Sequence, residues 1–121
     1  MVKEEKSFTY ELKENVLEIK LMGEIDHHSA VNVRSDIDGL IFDLHPRKIV
    51  LDLSEISFMD SSGLGLIMGR YSLIKELGGT LSLRAPTVAV MKILSLAGME
   101  RMIKIEKSIK EEKSSEEKYK V

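Results

Sequence analysis

"KIVLDLSEISFMDSSGLG", residues 48–65, joins an apolar run to a segment rich in hydroxyls and glycine. The opening "KIVLDL" is nearly continuous in β-branched and leucine residues, which predicts a central strand buried on both faces of a sheet. From Ser62 onward the period changes. Leu64, Ile67, Met68, Tyr71, Ile74 and Leu77 recur at threes and fours, a helical stripe, and Gly78-Gly79 supplies the left-handed residue that stops a helix. A buried strand leading into an amphipathic helix is half of a βαβ unit, so the fold depends on what flanks it.

Upstream, "FTYEL" at 8–12 places Phe8, Tyr10 and Leu12 on one side, and "VLEIKLM" at 16–22 does the same for Leu17, Ile19 and Leu21. Period-two alternation on either side of Lys13-Glu14-Asn15 predicts an antiparallel hairpin. After Asp26, residues Ala30, Val33, Ile37, Leu40, Ile41 and Leu44 define a helix of about four turns, capped by Asp26 and ended near Pro46.

Downstream, "TLSL" at 80–83 reads as a strand. Pro86 then opens a helix carrying Val88, Met91, Ile93, Leu94, Leu96 and Ala97, and "MIKI" at 102–105 is a last strand. The expected order is ββαβαβαβ, an α/β domain with a mostly parallel sheet, an antiparallel edge hairpin and covering helices. Residues 1–105 are expected to form the domain, and 106–121, densely charged with few apolar anchors, a partial helix and frayed tail.

Composition narrows the function. The chain has 121 residues, 18 Lys+Arg against 20 Asp+Glu, and a formal charge of −2, so it carries no sign of a nucleic-acid or membrane surface. There is no cysteine for a disulfide or thiolate chemistry. With neither an apolar leader nor a stretch near the roughly 20 residues that span a bilayer, a cytoplasmic protein is expected.

Several chemistries compete for "FMDSSGLG". Neither Ser61 nor Ser62 lies in Gly-x-Ser-x-Gly, the strained turn of a hydrolase nucleophile. Gly63, Gly65 and Gly69 are spaced Gly-x-Gly-x-x-x-Gly, one residue too long for a dinucleotide loop, and no Gly-x-x-x-x-Gly-Lys loop occurs. A phosphoaspartate at Asp60 would recruit Glu24 and Asp26 to bind Mg²⁺ but has no clear lysine partner. Asp26-His27-His28 lacks a further ligand at metal spacing, which leaves Asp26 as a helix cap. No catalytic residue, metal or cofactor is expected. Two readings of the serines remain: a helix N-cap, or a phosphorylation site at a helix end whose unpaired N–H groups and dipole tolerate a dianion.

The residues also resemble a known family. "GEIDHHSA" (23–30), "ISFMDSSGLGLIMGRY" (56–71) and "GG" (78–79) occur together and in order as in the STAS-domain anti-sigma-factor antagonists, those of sporulation most of all. The resemblance runs from about Val16 to Ile105. It implies a non-enzymatic regulator of transcription that works by partner switching. Unmodified, it binds an anti-sigma factor that is also a serine kinase, freeing a sigma factor; phosphorylated on Ser61 it lets go, and a serine phosphatase restores it. The resemblance further implies that Asp26 and Asp60 engage the kinase and that Ser62, Gly63, Leu64 and Gly65 belong to the partner-binding surface, with Ser62 mainly supporting the helix start. The alternative is a STAS accessory or scaffold subunit of a transporter or signalling complex, in which the serine is only structural.

Overall fold

In the computed structural model, which describes residues 7–107, two strands open the chain: β1 (Phe8–Lys13) and β2 (Val16–Ile25). They pair antiparallel from Phe8↔Leu21 to Lys13↔Val16, and Glu14 and Asn15 both take positive φ, the backbone a two-residue hairpin turn needs. Then follow α1 (His27–Leu44), β3 (Lys48–Met59), α2 (Ser61–Glu76), β4 (Thr80–Arg84), α3 (Val88–Leu96), a 3₁₀ turn (Met99–Arg101) and β5 (Lys104–Glu106). The expected order holds. The last strand is displaced: Met102 and Ile103 leave the 3₁₀ turn, and pairing starts at Lys104. Of the helix and tail expected over 106–121, Glu106 instead ends the last strand and Lys107 follows it; the rest lies outside the described residues.

The five-stranded sheet runs β1-β2-β3-β4-β5, parallel except for the first pair. Sequential order combined with right-handed crossovers sends every helix to the same face. Accordingly Ile37 and Ile41 of α1, Ile67 and Ile74 of α2, and Val90 and Leu94 of α3 share one core with Leu17, Ile19, Leu21, Ile49, Leu51, Leu53, Leu81 and Leu83.

As expected, β3 is buried on both faces over residues 49–51, but helices cover only one of them. Its other face is covered by charge: Val50 is buried outside that core between Glu18 and Ser82, and Asp52 lies between Lys20 and Arg84. Ion pairs from Arg84 Nη2 to Glu18 Oε1 (3.3 Å) and Lys48 Nζ to Glu106 Oε1 (3.4 Å) cross this face. A lone apolar position among charges reads, in one dimension, like a doubly buried strand.

Two helical stripes also shift. On α3 the buried side chains are Val90 and Leu94, whereas Val88 and Leu96 face solvent. On α2, Leu66 and Arg70 take buried places and Leu77 is exposed. Arg70, only 6% exposed, is held by Asp38 of α1, with Nε 2.7 Å from Oδ1, and Nη1 donates to the Leu66 carbonyl at 3.4 Å. Burial pushes the Arg70 guanidinium below its ordinary value, and Asp38 opposes that shift.

Candidate functional site

Two helix entries sit side by side at the carboxyl ends of β2 and β3, the edge of a parallel sheet where ligands most often bind. The register pair Ile25↔Met59 brings them together, and the Asp60 N–H donates to the Ile25 carbonyl (3.3 Å). Asp26 and Asp60, one residue beyond that pair, are the N-caps of α1 and α2.

Asp26 forms a reciprocal box. Its Oδ1 accepts from the N–H groups of His28 and Ser29, both 2.9 Å, while its own N–H donates to Ser29 Oγ at 3.0 Å. The Ser29 N–H above all, with that of His28 and the Ser29 hydroxyl, holds the Asp26 carboxyl below its ordinary value against a smaller opposing effect of burial. The Ser29 hydroxyl also donates to the Glu24 carbonyl at 2.8 Å, tying the end of β2 to α1. His27 and His28 are exposed, and among the described residues no group of three His, Asp or Glu side chains is placed to hold a metal.

Asp60 takes the capping role that the serines were candidates for. Its Oδ1 accepts from the Ser62 N–H at 2.8 Å. A carboxylate at this position complements the positive end of the helix and leaves both hydroxyls outside the cap. Ser61 is the first helical residue and is exposed; Ser62 follows, half-buried. The bond from Ser62 to the cap is made by its backbone N–H, as any non-proline residue there could make it.

The glycines divide. Gly63 is buried, and a Cβ there would collide with the Met59 side chain and stand 3.4 Å from Ile25 Cγ2, so its bareness lets α2 meet the sheet. Gly65 is exposed with nothing within 4 Å of a Cβ, so packing does not require glycine there. Leu64 is half-buried against the core. Asp26, Asp60, Ser61 and Gly65 thus reach solvent near one another, while Gly63 shapes the surface from below.

Sequence reasoning gave Phe58 no role and weighed Glu24 only as a Mg²⁺ ligand beside Asp60; the backbone shows why. β3 continues as strand to Met59, and against β2 it carries extra residues where register shifts fall between Lys20 and Met22 and between Gly23 and Glu24. These bulges interrupt the alternation of Ser54–Met59. The surviving signal is Gly23, whose φ of 76° marks the second irregularity.

The STAS domain family model matches residues 7–112. An anti-sigma F factor antagonist of Paenibacillus polymyxa is 40% identical over 90 residues, 74% of this chain and 77% of that protein. Among solved structures, the anti-sigma factor antagonist SpoIIAA in its unphosphorylated form is 30% identical, with a TM-score of 0.75 covering 94% of this chain and 98% of that one. The phosphorylated form of the Bacillus cell fate determinant SpoIIAA is 29% identical, with a TM-score of 0.69 over 90% of this chain and 97% of that one.

Proposed function

The chain belongs to the STAS domain family, and from that premise we propose that it is an anti-sigma-factor antagonist, a binding protein whose affinity for its partner is switched by phosphorylation of Ser61. The observation that carries this assignment is the exposed Ser61 hydroxyl at the first position of α2, beside a carboxylate that already caps the helix. Unmodified, the surface formed by Asp26, Asp60, Ser61 and Gly65, shaped by Gly63 and Leu64, docks an anti-sigma factor that is a serine kinase. No group of the antagonist performs catalysis, and a serine phosphatase reverses the modification.

Release follows from charge. To phosphorylate Ser61 the kinase brings the γ-phosphate of ATP to its hydroxyl. The transferred group, carrying about −1.5 to −2 charge, then faces the remaining nucleotide phosphates. One unfavourable pair at ~5 Å in an effective dielectric of ~20 costs on the order of 3 kcal/mol, roughly two decades of affinity. The helix tolerates the phosphate because its first-turn N–H groups and dipole favour an anion.

Two observations support this assignment. The Asp60 cap holds α2 independently of either serine hydroxyl, so modifying Ser61 removes no structural hydrogen bond at the cap. The solved relative also exists in unphosphorylated and phosphorylated forms, and both superpose on this chain. Incubation with ATP and the anti-sigma F factor that the Paenibacillus polymyxa relative antagonises, followed by mass spectrometry, is expected to place one phosphate on Ser61 and none on Ser62. An unmodified Ser61 would refute the switch.

A further inference from the structure

We propose that the end of the β2–β3 ribbon, on the face of the sheet opposite the helices, is a second contact surface for the same partner, with Phe58 as its apolar anchor and a pocket bordered by basic side chains as its complement. This extension rests on the antagonist assignment.

The ribbon stands apart from the rest of the sheet. β4 pairs with β3 only as far as Asp52↔Arg84, so among the described residues the strand ladder from Leu53 to Met59 joins β3 to β2 alone. Its bulges re-aim the side chains: Ile56 and Met59 enter the core, while Phe58, opposite Glu24, and Glu55, opposite Met22, take the other face. Phe58 is 51% exposed, with an exposed carboxylate as its cross-strand neighbour. An aromatic ring half in water, with no apolar neighbour directly across the strand, is the kind of side chain that dominates protein interfaces once seated in a pocket.

Charge selects the occupant. Between Lys20 and Arg34 the chain has no lysine or arginine, and again none between Lys48 and Arg70. The charged carboxyl groups in those spans are Glu24, Asp26, Asp52, Glu55 and Asp60, and Glu24 and Glu55 flank Phe58 on the ribbon face. A protein presenting basic residues around an apolar pocket complements this surface, whereas an acidic one is repelled. The basic border faces the ribbon and the nucleotide phosphates face Ser61, so attraction at one place coexists with release at the other.

The test is calorimetric titration of the chain with the purified anti-sigma F factor that the Paenibacillus polymyxa relative antagonises. Phe58→Ala is expected to weaken binding by about tenfold or more. The double variant Glu24→Lys/Glu55→Lys should weaken it too and flatten its dependence on salt. Leu96→Ala, which alters a side chain 90% exposed on α3, should bind as the wild type does. Thermal denaturation of each variant establishes that it is folded. Wild-type affinity in Phe58→Ala, or an equal loss in Leu96→Ala, would overturn the ribbon as a contact surface while leaving the antagonist assignment standing. A wild-type chain that does not bind would contradict both.

Discussion

At the scale of the residue, the two aspartates divide their work from the serine between them. Asp60 caps α2 so that Ser61 is free of the cap, and removing its carboxylate should show the cost: Asp60→Ala is expected to lose about 1 kcal/mol, read from urea denaturation. Asp26 predicts a pH dependence. Its folded pKa lies below the ordinary carboxyl value of 3.8. The stabilisation is therefore present above the unfolded pKa and is lost as pH falls through the lower folded one. Denaturation midpoints taken between pH 7 and pH 2.5 should fall less steeply for Asp26→Asn than for the wild type, and identical slopes would contradict the assigned hydrogen bonds. Asp26 could be assigned as a cap from its place before an amphipathic stripe. For α2, two serines in the same kind of position hid the aspartate before them, because serine and aspartate are both good caps.

At the scale of the element, α2 is held by features that pull in different directions. Gly65 leaves a bare, exposed helix position with no packing need, so Gly65→Ala should raise stability by about 0.5–1 kcal/mol while altering the surface beside Ser61. Gly63→Ala should lack that gain, since its Cβ displaces the buried Met59 side chain. The tie between α1 and α2 is ionic. Asp38→Ala strands the buried Arg70 charge and is expected to cost about 3 kcal/mol, the low end for such pairs because water reaches the partly exposed carboxylate. The double variant Asp38→Leu/Arg70→Met should recover most of that loss. Chemical denaturation reads all four. The stripes on α1 and α2 were visible because apolar residues recur at helical spacing. Arg70 was not, since an arginine enters a core only through a partner on another helix, and that pairing exists only after folding.

At the scale of the whole molecule, element order, parallel pairing and the antiparallel hairpin were legible because alternation, helical period and turn residues agree along the chain. The layer count was not. Sequential strand order places every helix on one face, and "KIVLDL" alone cannot distinguish a helix from a canopy of ion pairs over Val50. The joint between strand and helix was legible, while the continuation of β3 to Met59 beside it was concealed by its bulges. A rigid joint with a modifiable edge should change affinity without changing fold. Calorimetry with the anti-sigma F factor, comparing the unmodified chain with its Ser61-phosphorylated form, tests this most directly. The phosphorylated form is predicted to bind about two decades more weakly at an unchanged melting temperature; equal affinities would contradict the switch.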